Sequence, residues 1–373
     1  MISKNRNVIA IFDEDGLPRD ANLRIRQGMI MAQDVYSSQG FLLCSTYTRL
    51  SEQLVNILSE NGIHWAKAYS PLQDGKADNV NEDLILSTVI QTEEFQEFKA
   101  EYLQKVNEVK SQLVDISDGG HVDVEALYNS ANDIMDTLGS KNDIFNYIRF
   151  MKQTDEATYG HCINVSMLCS LFGHWLGMKH REIVDLTAAG SLHDIGKTKI
   201  PVEVLCKKGR LTEKEFSLIK NHTVLGYDLL KGRGNLPEDI KSAALMHHER
   251  SDGSGYPHGR KSSEISKYAS IVTICDIYDA MISNRCYKEK LSPFYVIKTF
   301  EQGSYGHLHT EFLLIFLRNI AHTFLHSKVT LTDGREGEVV FINEKNLSRP
   351  IVQCGSEFVD LMEQTDVDVQ MAL

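Results

Sequence analysis

The sequence predicts a mainly α-helical protein, with a small α+β module at the N-terminus and a short β appendage at the C-terminus. Three observations carry this expectation. Between residues 82 and 326 apolar side chains recur at spacings of three and four, the period of an amphipathic helix. Short apolar runs bounded by turn residues, the mark of strands, are confined to the two ends. The chain is 42% hydrophobic over 373 residues, enough apolar material for cores in two or three domains.

Residues 1–72 read as the small mixed module. Val8–Phe12 and Phe41–Cys44 suit short strands around the turn-rich DEDG and SSQG segments. Leu50–Asn61 suits a helix with Leu50, Leu54, Ile57 and Leu58 on one face. Residues 73–141 read as a linker and helical connector. After the polar PLQDGKADNVNED comes one long helix over 82–116, where Phe95, Phe98, Tyr102, Val106, Val109, Leu113 and Ile116 form a stripe. At about three heptads, this stripe suits the inner face of a bundle and the seam of a homodimer equally well. Asp118-Gly119-Gly120 ends that helix, and a second runs through Val124, Leu127, Ile134 and Leu138. Residues 142–326 are expected to be helical throughout, with Thr212–Glu215 as the capping box of one helix. Across 327–373 the pattern changes: Val329–Leu331, the turn Asp333-Gly334 and Val339–Phe341 read as a hairpin.

The net charge of −12, from 51 acidic and 39 basic side chains, argues against a nucleic-acid polymer as partner. It leaves room for a small phosphate ligand, because a metal site supplies its own positive charge. The cysteines, at 44, 162, 169, 206, 275, 286 and 354, form no C-x-x-C pair and mostly sit in apolar runs, as in a reducing cytoplasm. The N-terminal apolar stretch is too short for a signal peptide. No window approaches the roughly 18 apolar residues of a membrane span. A soluble, cytoplasmic protein is expected.

Polar groups on apolar helical faces mark the candidate site. His161 shares a face with Val165, Leu168, Phe172 and Trp175. Taken alone, such a histidine is more often a satisfied core residue than a ligand. The pattern recurs, however. His193 and Asp194 close an apolar helix, His222 lies on the face of Phe216, Ile219 and Leu229, and His247-His248 follow Ile240 and Ala244. Asp276 interrupts the apolar SIVTICDIYDAMI, with Asp279 one turn later. Burying so many imidazoles and carboxylates is costly unless metal ions neutralise them. Mixed His/Asp donors suit Fe, Mn or Zn, and Asp194 is placed to bridge two metals that activate a hydroxide for attack at phosphorus. Lys197, one helical turn after His193, is a candidate phosphate clamp, as are Arg285 and Lys288 beyond Asp279. The glycine-rich loop through Gly255, Tyr256 and Pro257 follows directly and would wall the site.

In their order along the chain, YGHCINV, SLHDIGKTKIP, KKGRLTEKEF, IKNHTVLGYDLL, HHERSDGSGYP and DIYDAMISNRCYK resemble the HD-GYP family of the HD phosphohydrolase superfamily, over about residues 142–326. The resemblance implies an all-α HD-type catalytic domain that hydrolyses cyclic di-GMP to pGpG and/or GMP. It implies that His161, His193, Asp194 and Asp276 hold one metal, and that His222, His247 and His248, with Asp194 bridging, hold another. Lys197 would hold phosphate, and Asp279, Arg285 and Lys288 would line the nucleotide side. The Gly255-Tyr256-Pro257 loop is associated in the family with contacts to GGDEF-domain proteins. Members with a third metal carry a glutamate four residues before the first histidine, where this chain has Ala157, so two divalent ions, Fe or Mn foremost, are expected. Arg285-Cys286-Tyr287 and the segment 307–312 also depart from the family pattern. The alternatives are a 3′,3′-cyclic GMP-AMP phosphodiesterase and a non-catalytic receptor or adaptor.

Overall fold

The computed structural model describes residues 92–372 apart from 140–142, 152–156, 208, 234–235, 284–291 and 305, and within 1–91 only residue 63 and the short elements named next. The chain divides between Val89 and Ile90 into two compact units. The first holds β1 (Ala10–Phe12), β2 (Pro18–Asp20), β3 (Ile30–Met31), β4 (Val35–Tyr36), β5 (Leu42–Cys44), α1 (Glu52–Glu60) and β6 (Ala68–Tyr69). Its strands pair antiparallel as β1–β2, β3–β6 and β4–β5. Leu58 of α1 is fully buried, but Ile57, expected on the same face, is 42% exposed.

The second unit opens with α2 (Glu93–Ser117) and α3 (Val124–Asp136). Thr92 caps α2 by accepting a hydrogen bond from the Phe95 amide, and Asp123 caps α3 through the Ala126 amide. The α2 stripe from Phe95 to Ile116 is 5% exposed at most, packed inside this one chain. That settles its role as a bundle face. The expected homodimer seam through this helix is therefore corrected, because its apolar surface is already buried. The expected connector is also part of the body: Tyr102 donates to Asn164 Oδ1 at 2.9 Å, and Thr198 donates to Ser117 Oγ at 3.0 Å.

The core continues through α4 (Ile144–Met151), α5 (Ala157–Trp175), α6 (His180–Leu192), a 3₁₀ turn (Ile195–Lys199), α7 (Val202–Leu205), α8 (Glu213–Lys220), α9 (His222–Lys231), α10 (Glu238–Met246) and α11 (Lys267–Ser283). Glycines set the closest approaches. A Cβ on Gly190 of α6 would fall 2.9 Å from Ser166 Cα of α5, and one on Gly196 would fall 1.9 Å from the His222 carbonyl oxygen. The second contact presses the 3₁₀ turn against the start of α9. Helices α12 (Pro293–Gly303) and α13 (Thr310–Thr323) complete the helical part.

A five-stranded antiparallel sheet ends the chain, in the order β10 (Glu357–Asp360), β9 (Ile351–Cys354), β8 (Glu336–Phe341), β7 (Lys328–Leu331), β11 (Val369–Ala372). Its first hairpin is the expected one, with Gly334 at φ 85° in the turn. The sheet is docked on α12: Lys298 pairs with Asp368 at 2.8 Å, and Glu301 accepts from the Leu347 amide and the Ser348 hydroxyl.

Candidate metal centre

Helix ends deliver most of the candidate ligands, because a side chain at a terminus can reach inward without displacing apolar neighbours along the helix. His193 caps the C-terminus of α6, Asp194 opens the 3₁₀ turn, His222 opens α9, and His247 caps the end of α10 with His248 next. His161 lies on α5, and Asp276 and Asp279 lie one turn apart on α11. His222 does not share a continuous helical face with Phe216, as the spacing had suggested. The chain breaks at Asn221 between α8 and α9, and Phe216 is 49% exposed while His222 is buried.

The donor atoms gather in two groups, each within 4.8 Å of one another: Asp194, His222, His247 and His248, and His161, His193 and Asp276. Asp194 stands between them. Its Oδ1 lies 3.2 Å from His222 Nε2 and 3.7 Å from His247 Nε2. Its Oδ2 lies 3.4 Å from His193 Nε2 and 3.7 Å from His161 Nε2.

Hydrogen bonding fixes the tautomers. Nδ1 of His193 points at the Gly190 carbonyl at 2.7 Å, that of His222 at Ile219 at 2.6 Å, and that of His247 at Ala243 and Ala244 at 3.1 Å. A carbonyl only accepts, so these Nδ1 atoms carry hydrogens, and in a neutral ring Nε2 presents a lone pair. Yet His222 Nε2 and His247 Nε2 are 3.3 Å apart. His193 Nε2 and His161 Nε2 are equally close. Asp194 Oδ1 is buried and receives no properly directed hydrogen bond, although His222 Nε2 is near. The His222 and His247 lone pairs, aimed at one another beside an orphaned carboxylate oxygen, fit a divalent cation, and nitrogen plus carboxylate donors suit Fe, Mn or Zn.

Charge states agree with this geometry. Burial, with neighbouring histidines adding to it, holds His247 and His248 well below the ordinary imidazole value, in the neutral form that ligates metal. Burial opposes ionisation of Asp194, but Lys197 and His193 outweigh it and keep the carboxyl far below its usual range. Burial likewise opposes charging of His161, but Asp276 and Asp279 outweigh it and push the ring up to about 10. Asp276, despite burial, is held down at about 2 by His161. Metal at that group competes with the His161 proton.

The Lys197 ammonium is bonded to Asp194 Oδ2, so the lysine reaches the cluster as expected. Asp279 is buried on the α5 side of the cluster. Its carboxylate is 1% exposed and lies behind His161, 2.8 Å from Nδ1, where it orients the ring. Its placement on α11, one turn after Asp276, brings it to His161 of α5. Arg285 and Lys288 lie outside the described residues, as do Asp155, Glu156 and Cys286. Ala157 is the first residue of α5.

The Gly255-Tyr256-Pro257 loop folds over His248, whose ring stacks with Tyr256 at 4.6 Å. Gly255 is obligatory there, since a Cβ would meet the Arg250 amide nitrogen at 2.4 Å. Two structural residues escaped the sequence reading. Glu249, 2% exposed, accepts from the His258 and Arg260 amides at 2.8 and 2.9 Å and ties the loop down. Thr273 donates to the His247 carbonyl at 2.7 Å. Their only signal was a carboxylate and a hydroxyl beside ligand positions. His307, in the divergent 307–312 segment, pairs with Asp252 of the same loop at 2.7 Å.

Residues 142–308 match the family model described as an HD domain. The chain is 31% identical over 228 residues to the cyclic di-GMP phosphodiesterase PA4108 of Pseudomonas aeruginosa, covering 60% of this chain and 55% of that one. It is 40% identical over 142 residues to the cyclic di-GMP phosphodiesterase response regulator RpfG of Xanthomonas campestris pv. campestris, 38% of each chain. It is 31% identical over 151 residues to 3′3′-cGAMP-specific phosphodiesterase 2 of Vibrio cholerae, 40% of this chain and 29% of that one. The chain thus spans about half the length of PA4108 and less of the other two.

Proposed function

The chain belongs to the HD domain family, in its HD-GYP branch, and from that premise we propose that it is a metal-dependent phosphodiesterase that hydrolyses cyclic di-GMP to pGpG and/or GMP. One observation carries the reading: the two oxygens of Asp194 face two separate histidine groups. Residues His161, His193 and Asp276 would hold one divalent ion, His222, His247 and His248 the other, and Asp194 both. Bound there, a pair of ions, Fe or Mn by donor type, supplies Lewis acidity and a hydroxide nucleophile for in-line attack at phosphorus. The chain's own groups do the rest. Asp279 holds the His161 ring in its ligating orientation. Lys197 shares Asp194 Oδ2 and offers its ammonium to a phosphoryl oxygen. Ala157 removes the ligand that a third ion would use, which supports two.

The likeness to a 3′3′-cGAMP-specific enzyme supports 3′,3′-cyclic GMP-AMP as a second substrate reading. A non-catalytic receptor is less well supported, since such proteins lose ligands and this chain keeps each one named. We also assign GGDEF-domain proteins as partners of the Gly255-Tyr256-Pro257 loop. A reducing cytoplasm suits the free thiols of Cys162, Cys169, Cys206, Cys275 and Cys354, and among the described residues no helix is long and apolar enough to cross a membrane.

The test is purification under anaerobic loading with Fe or Mn, metal analysis, and chromatography of both cyclic dinucleotides. Turnover of cyclic di-GMP is expected, and no turnover of either would sink the enzyme reading. Asp194→Ala should lose both metal and activity. Lys197→Ala should keep metal and slow kcat by about 10²-fold or more, the usual cost of one transition-state donor. Equal metal loss in both variants would mean that the role given to Lys197 is wrong.

A further inference from the structure

Two cations near the centre serve neither metal group. The Lys220 ammonium, at the end of α8, sits 5.1 Å from the centre of the Tyr256 ring and 4.7 Å from that of Phe216. Arg250 belongs to the loop that carries Tyr256, and Gly255 packs so tightly on the Arg250 backbone that the loop closes on itself. The guanidinium spends only Nη1, on the carbonyls of His247 and Glu249 at 3.4 and 2.9 Å. Among the described residues neither Lys220 nor Arg250 has a carboxylate within ion-pair distance, although the chain carries a net charge of −12. Both side chains are partly exposed, and Tyr256 stacks directly on the candidate ligand His248.

A cyclic dinucleotide carries two phosphodiesters on one ring. When one lies at the Asp194 centre, the other is a second anion that must be held away from Asp194 and Asp276. We propose that Lys220, over the Tyr256 ring, and Arg250, in the loop that carries Tyr256, bind this second, uncleaved phosphodiester. The lysine acts as a point charge and the arginine as a planar fork. These are substrate-holding residues and take no part in bond breaking. The inference rests on the phosphodiesterase reading.

The test compares cyclic di-GMP with bis(p-nitrophenyl) phosphate, a substrate with a single phosphodiester, in Lys220→Ala, Arg250→Ala and Lys220→Arg. For each alanine variant the KM for cyclic di-GMP should rise about tenfold, as expected for loss of a charge-assisted contact. The ratio of kcat/KM for cyclic di-GMP to that for bis(p-nitrophenyl) phosphate should fall by a similar factor, and Lys220→Arg should recover most of the loss. Because Arg250 also braces the loop, Lys220→Ala is the decisive variant. Equal losses on both substrates, or no loss on cyclic di-GMP, would overturn the assignment. If the wild-type protein cleaves bis(p-nitrophenyl) phosphate but not cyclic di-GMP, the substrate reading fails, and calorimetric binding of cyclic di-GMP decides the inference separately. Weaker binding by Lys220→Ala then upholds it, while equal affinity, or no binding by the wild type, overturns it.

Discussion

Asp194 concentrates the energetics of the centre in one side chain. A carboxylate 3% exposed in an apolar core is stable only when surrounding cations answer it, and Lys197 and the histidines do so here. Its position depends on a residue with no side chain. The backbone of Gly196 passes so close to the His222 carbonyl that any Cβ would overlap it. Gly196→Ala should therefore separate Asp194 from His222, destabilise the protein by about 1–3 kcal/mol as overpacking does, and lower metal content. Denaturant unfolding and metal analysis check this, and a variant with wild-type stability and full metal would contradict the packing argument. Sequence periodicity brought His161, His193, Asp194, His247, His248 and Asp276 inward, because each stands among apolar neighbours at helical spacing, whereas His222 is buried at the start of a new helix. It could not place Asp279, since one turn of helix leaves open whether a side chain meets the ligand in front or the substrate beside it.

Helix α8 is the element whose terminus is most legible. Its capping box is complete: the Glu215 amide donates to Thr212 Oγ1, and the Thr212 amide donates to Glu215 Oε2 at 2.7 Å. Hydrogen bonds from Lys207, then from Thr212, pull the Glu215 carboxyl down to about 2, below its ordinary value near 4.5. A depressed carboxylate contributes stability that is present above the ordinary value and lost as pH falls toward the folded one. The α8 start should therefore weaken progressively as pH falls from about 4.5 to about 2. A carbon-detected NMR titration should place the Glu215 midpoint near 2, and Lys207→Ala should raise it toward 4.5; a wild-type midpoint already at 4.5 would refute the cap. The α2 stripe shows the opposite limit. Spacing alone matches a bundle face and a dimer seam, and only the neighbouring helices, with Tyr102 bonded to Asn164, decided between them.

The whole molecule separates at Val89/Ile90, which makes residues 90–373 a unit with its own core and all the candidate ligands. That stretch, produced alone, should unfold in one cooperative transition. Saturating Mn²⁺ should raise its stability, by about 2.7 kcal/mol at one hundred times Kd, because the ion binds the folded chain and replaces repulsion among the facing nitrogens. Calorimetry with and without chelator checks this, and a midpoint indifferent to metal would count against the two donor groups acting as sites. The sheet over 328–372 belongs to the same body through Lys298–Asp368 and Glu301, contacts between residues dozens of positions apart.

By itself the sequence determined the helical class, the terminal hairpin, the capped helix start and the candidate ligands. Each is a local matter of period, turn residues or a charge out of place among apolar neighbours. Tertiary structure decided which donors share a group, that Asp194 turns one oxygen to each, that Asp279 stands behind His161, and that Lys220 lies over the Tyr256 ring. Those relations join segments far apart in the chain, and they depend on how closely glycine lets two backbones approach, which no local pattern records.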